Sequence, residues 1–135
     1  MINNIISRPG KRNKLMIGIS MQLYWNKCTG GQWCNFYDVD LENAHFDGME
    51  GVYIIWYAGT SPAAVRVGQG VIKDRLTKHR ADPLINKYKD KGLYATWASV
   101  DKKFRDGVER YLAEFLNPKV GDKFPDVLPI QVNIP

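Results

Sequence analysis

Cysteine is scarce in this chain, and no apolar run approaches the roughly 20 residues that cross a bilayer as a helix. The two cysteines, Cys28 and Cys34, flank Thr29, Gly30 and Gly31. A structural metal site of the cysteine and histidine type needs four ligands, and His45 is the only further one nearby. A disulfide or half of a metal site stays open at this spacing. The reading adopted is two ordinary thiols beside a hairpin turn. Short apolar runs exclude a membrane-spanning helix. Arg8, Lys11, Arg12 and Lys14 precede the apolar stretch 15–20 in the manner of a signal peptide. Gln22 and Asn26 then interrupt it, and no small-residue cleavage site follows, so the expected compartment is cytoplasmic. Internal repeats and low-complexity segments are also missing.

Charge of one sign is missing segment by segment. Residues 1–27 carry five basic and no acidic side chains, and residues 28–65 carry five acidic and no basic ones. Residues 71–91 then hold seven basic side chains, among them Lys73, Lys78 and Arg80, against three acidic ones. The net charge is +5. A basic helix and loop of this kind attracts a polyanion, since phosphate contacts supply most non-specific nucleic-acid affinity. A solvated helix face is the plain alternative.

What remains is a chain of 135 residues with 44% apolar content, enough for one domain with a core. Residues 1–13 read as a basic arm broken by Pro9 and Gly10. Residues 15–25 read as a strand, which the Thr29-Gly30-Gly31 turn returns as a short hairpin partner. From residue 51 the pattern sharpens. Residues 52–57 are apolar on both alternating faces, as an inner strand covered on both sides requires. A second strand is expected over 63–67, a helix from about 71 with Ile72, Leu76 and His79 at helical spacing, and a third strand over 93–100. Asp101 is placed to cap a last helix, whose stripe is Phe104, Val108, Tyr111, Leu112 and Phe115 and which Asn117 and Pro118 end. The expected class is α/β (α+β): an N-terminal hairpin-like extension over 1–50, a core over 51–121 in the order β-β-α-β-α, and a proline-spaced tail over 122–135 packed on that core.

Five pieces in this order carry a resemblance. Gly51-Val52-Tyr53, Arg66-Val67-Gly68, the helix Arg75-Leu76-Thr77-Lys78-His79, the helix Glu109-Arg110-Tyr111-Leu112, and Pro118 nine residues on resemble the motifs of the GIY-YIG nuclease superfamily over roughly residues 50–121. The resemblance implies a three-stranded antiparallel core flanked by helices and metal-dependent hydrolysis of DNA phosphodiester bonds. It implies that Tyr53 helps activate water, Arg75 pairs with phosphate, His79 assists proton transfer, and Glu109 holds Mg²⁺ or Mn²⁺. Two positions depart from the pattern. Arg66 stands where the second tyrosine is usual, and Gly121 aligns where an asparagine is frequent, with Asn117 and Asp122 nearby. Arg75 also follows Gly68 by seven residues, where eight is typical.

The residue types suit that chemistry. A phenol of ordinary pKa near 10 acts as a base only if a cation depresses it, which Arg66 on the second strand is placed to do. A planar guanidinium such as Arg75 suits a phosphate better than an ammonium does. His79, four residues on, shares its helix face. Arg66, Lys73, Lys78, Arg80 and Asn117 are the expected phosphate contacts. The partner is DNA, with RNA the alternative polyanion, and no membrane. A protein partner or residues 1–50 would supply specificity. Two rivals stand beside this reading: a nucleic-acid-binding module that no longer cleaves, and a protein-interaction domain using Tyr24, Trp25, Trp33, Phe36 and Tyr37.

Overall fold

The computed structural model describes residues 20–135. The basic arm expected at 1–13, and residues 15–19 of the first expected strand, lie outside them. Among the described residues are six strands: β1 Ser20–Met21, β2 Cys34–Asn35, β3 Glu50–Tyr57, β4 Ala63–Val71, β5 Leu93–Ser99 and β6 Gln131–Val132. Three α-helices accompany them: α1 Ile72–Arg80, α2 Pro83–Asn86 and α3 Lys102–Leu116. The chain is thus mixed α/β, built on a four-stranded antiparallel sheet in the order β2-β5-β3-β4. One strand more than expected joins the sheet, because β2 pairs along the outer side of β5.

Strand β3 lies inside the sheet, and every residue from Gly51 to Tyr57 is buried. Its alternation feeds two separate cores. Tyr53, Ile55 and Tyr57 pack with Ile72 and Leu76 of α1, while Val52, Ile54 and Trp56 pack with Val108 and Leu112 of α3. Each fully buried aliphatic or aromatic side chain contributes about 1.5–3 kcal/mol, so this one strand anchors both layers. Strand β4 is the sheet edge. Its register with β3 shifts between Ile55 and Trp56, which pair with Arg66 and Ala64 respectively, so a bulge falls beside Arg66. Bulges bend an edge strand and re-aim its side chains.

The expected N-terminal hairpin is not the pairing that forms. β1 runs parallel to β6 at the far end of the chain, and β2 belongs to the main sheet. Asn133 explains the preference: its side chain accepts from the Leu23 backbone N–H at 2.6 Å and donates to the Leu23 carbonyl at 3.0 Å. The Trp25 indole donates to the Asn133 carbonyl at 2.9 Å. The cysteines also differ from expectation. A tight turn over Thr29–Gly31 brings Cys28 and Cys34 to a Cα separation of 5.1 Å, within disulfide range, and they are bonded. Of the five aromatics considered for partner docking, only Tyr24 is exposed, while Trp25 and Phe36 are core residues. Among the described residues, no helix is long and apolar enough to cross a membrane.

Candidate functional site

Tyr53 projects from the middle of β3 onto the α1 side of the sheet, opposite Gly68 of β4. That pairing is forced. A Cβ on Gly68 would stand 2.1 Å from the Tyr53 hydroxyl oxygen and 2.4 Å from Cζ, so the ring lies where any side chain at 68 would be. The phenol is 0% exposed, and its oxygen lies 2.6 Å from Nε2 of His79, which is itself 5% exposed on α1. His79 sits there because Ile72, Leu76 and His79 form the buried stripe of a nine-residue helix.

Two guanidinium groups border this pair. Arg66 comes from the bulged part of β4 and Arg75 from the first half of α1. Both hold a buried Nε with no partner. Buried donors are almost always paired; Trp56 Nε1, in the core on the other face of the sheet, is a third orphan, and what sets Arg66 and Arg75 apart is that both line one groove with His79. Their charge acts on the pair. Burial pushes Tyr53 above its ordinary pKa, while Arg75 and then Arg66 pull it back. Burial, Arg66 and Arg75 together lower His79 to about 4, so the imidazole is neutral near pH 7.

Glu109 reaches the same region from α3, on the opposite face of the sheet. The β4 edge makes this possible, because side chains from both layers meet around the last strand of the sheet. Gln69 of β4 donates its amide to Glu109 Oε1 at 2.8 Å and to Asp106 Oδ1 at 2.7 Å. Burial raises the Glu109 pKa, against the Gln69 hydrogen bond and the charge of Arg66. Among the described residues, no group of three or more His, Cys, Asp or Glu is gathered for a metal ion. The donor set is a carboxylate pair. Mg²⁺ or Mn²⁺ held there would share both carboxylates with the Gln69 amide and would need waters and phosphate oxygens to complete its shell.

Tyr53, Arg66, Arg75, His79 and Glu109 are therefore brought together. The other expected phosphate contacts divide. Lys78 is exposed and lines the groove with Arg66, Arg75 and His79. Lys73 is paired with Glu42 at 2.9 Å. Arg80 ties down the segment after β2, donating to the carbonyls of Phe36 at 3.0 Å and Val39 at 2.6 Å. Asn117 ends α3 in the left-handed conformation, with φ 50°, and lines an adjoining groove. Sequence reasoning missed Gln69 and Asp106. The spacing of Asp106 three residues before Glu109 was readable, but the amide that joins them comes from another element. No protein-family model, curated protein or solved structure matches the chain.

Proposed function

We propose that the chain is a metal-dependent endonuclease of GIY-YIG type that hydrolyses DNA phosphodiester bonds. The observation that carries this reading is the pair of orphaned guanidinium nitrogens, on Arg66 and Arg75, beside a neutral phenol–imidazole pair and a carboxylate. A phosphodiester anion is the acceptor that two guanidinium groups suit best. Glu109, with Asp106 beside it, would hold Mg²⁺ or Mn²⁺, which would supply Lewis-acid charge for a phosphate.

The chain's own residues supply the proton steps. His79 lines the groove and Tyr53 stands behind it, closed to solvent, so His79 is the group that meets substrate. Its Nε2 is taken by Tyr53, which leaves Nδ1 for the reaction. The heavy-atom geometry serves both tautomers. With the phenol donating, Nδ1 gives its proton to the leaving oxygen as the phenol proton passes to Nε2, so the negative charge ends on the Tyr53 oxygen beside Arg75 and Arg66. With Nε2 protonated, Nδ1 accepts a proton from the attacking water. Burial is the largest cause of the low His79 pKa; an anion that neutralises Arg66 and Arg75 removes the smaller part that their charges add and so raises it.

The test is nicking of supercoiled plasmid with Mg²⁺ or Mn²⁺. Wild type is expected to nick, EDTA to abolish nicking, and Glu109→Ala and His79→Ala to lose it by a factor of at least about 100. Absence of divalent-dependent cleavage on supercoiled, branched and single-stranded DNA sinks the reading. A non-catalytic nucleic-acid-binding module is the second reading, favoured by the complete burial of Tyr53. It predicts binding that Glu109→Ala leaves intact, with no cutting. The proposed compartment is cytoplasmic, where reducing conditions hold cysteines as thiols. Thiol labelling of freshly lysed cells tests the compartment: labelling of Cys28 and Cys34 supports it, and protection of both by the disulfide that the structure shows counts against it.

A further inference from the structure

The groove beside His79 does not end at the reaction centre. It shares Arg66 and Asp82 with a second groove, lined also by Lys87, Tyr88 and Lys119. The second shares Gly121 and Asp122 with a third, which Asn117 and Lys123 line. The three adjoin along the outer side of β4. Their far wall is fixed, because the segment after α3 is bonded to the strand: Lys119 N–H donates to the Ala64 carbonyl at 3.1 Å, and Val120 N–H to Val65 at 2.9 Å.

The basic residues on this path differ from the rest of the basic run. Lys87, Lys119 and Lys123 are exposed, with no ion pair among the described residues. Lys73 is paired, Arg80 is spent on carbonyls, and Lys89 and Lys91 lie over the rings of Tyr37 and Tyr57 at 4.8 and 5.1 Å. The middle groove adds aromatic and apolar surface to the charge. Tyr88 rests one ring face on Tyr57, with planes 16° apart, and lines the groove with the rest of its surface. Leu84 beside it is 57% exposed. Cations interleaved with an aromatic are what a single strand needs, phosphates meeting the cations and bases the ring.

We infer that one unpaired nucleic-acid strand runs along the β4 edge, its phosphates on Arg66, Lys87, Lys119 and Lys123 and a base on Tyr88. This inference rests on the proposed function in one respect, that the strand's scissile phosphate sits at the Arg66 and Arg75 end. It names the substrate as a single-stranded or unpaired segment. The segment after α3 supplies much of the contact, and the lysines at 73, 89 and 91 do not.

The test is fluorescence anisotropy in EDTA with a labelled oligothymidylate of about 12 nucleotides, within the range such grooves cover, and with a duplex of equal length, over a series of KCl concentrations. The strand is expected to bind more tightly than the duplex. Lys87→Gln with Lys119→Gln is expected to reduce the slope of log K against log salt by about 1.4, two contacts at about 0.7 each. Lys73→Gln with Lys89→Gln should leave the slope unchanged. Tyr88→Leu, which still fills the site against Tyr57, should weaken strand binding about 5- to 100-fold. Tighter binding of duplex, no binding of the strand at low salt, or an unchanged slope in the Lys87 and Lys119 variant each overturns the inference. Because EDTA removes cleavage from the assay, a chain that binds the strand as described but never cuts it overturns the nuclease reading alone. A chain that nicks plasmid while the groove variants bind like wild type overturns this inference alone.

Discussion

Gly68→Ala is the sharpest steric test of the site, because two opposite effects compete there and the distances decide between them. Replacing glycine by alanine in a strand normally stabilises by about 0.5–1 kcal/mol, through lost freedom in the unfolded chain. Here the new methyl would sit 2.1 Å from the Tyr53 oxygen and 2.4 Å from Cζ, more than 1 Å inside ordinary contact. The ring is 0% exposed, and its strand is hydrogen-bonded on both sides, by β4 and by β5, so it has nowhere to retreat. Overpacking of a filled core costs about 1–3 kcal/mol. Displacing the phenol from His79 removes a buried hydrogen bond and leaves its partners short, for about 1 kcal/mol or more. The net expectation is a loss of about 2–3 kcal/mol, on the order of 10 °C in Tm for a domain of this size. Urea and thermal unfolding followed by circular dichroism measure it. In a Tyr53→Leu background, which deletes both close atoms, the same glycine change should cost at least about 1 kcal/mol less. Gly68→Ala that is neutral in wild type, or equally costly in both backgrounds, refutes the claim that the ring occupies the place of a residue-68 side chain.

His79 is held below its ordinary pKa, at about 4, so between pH 6.5 and 4 the unfolded chain binds the proton that the folded chain refuses. Its contribution is therefore complete above pH 6.5 and fades as pH falls through that window, by about 3 kcal/mol. His79→Gln should flatten the acid limb of a urea-midpoint profile, and parallel profiles for the two proteins would refute this. Arg66 and Gly121 should be coupled: a Cβ at 121 would lie 2.6 Å from Arg66 Nη1, so Gly121→Ala should cost about 0.5–1 kcal/mol less once Arg66 is alanine. Additivity within about 0.3 kcal/mol would show that the two do not share space.

What the sequence disclosed divides along physical lines. β3 was legible because a strand buried on both faces is apolar throughout, and α3 because its stripe is amphipathic. β4 was read four residues short, since Gly68, Gln69 and Gly70 carry no strand signal, yet they pair with Tyr53, Val52 and Gly51. The N-terminal hairpin was misread because local pattern cannot reveal a partner more than 100 residues away, where Asn133 supplies both hydrogen bonds. The thiol reading failed similarly: six positions of separation say little until a tight turn closes them. In the site, Tyr53 and Arg75 were reached through the motif resemblance, and His79 through it and through its place in the helix stripe with Ile72 and Leu76. Gln69, Asp106 and Lys119 could be reached by neither route, since each owes its place to a contact between elements.

The two departures from the GIY-YIG pattern look independent in the sequence, 55 positions apart, and independence would argue for a site decaying residue by residue. In space they touch. Gly121 has φ 100°, which a side chain adopts only under strain, and the room an asparagine would need there is filled by the end of Arg66. A side chain at 121 would push the end of Arg66 aside as well as strain the backbone, and glycine at 121 gives that cation somewhere to lie. On the proposed GIY-YIG reading the two count as one exchange, since Arg66 and Gly121 share one space. What the exchange adds is a charge that acts on Tyr53, His79 and Glu109 together, with a buried Nε left open. Decay would leave a cavity or a satisfied surface ion pair. A buried and unpartnered donor costs about 1–3 kcal/mol of stability, so keeping one at this place supports an anion as its partner in the working protein.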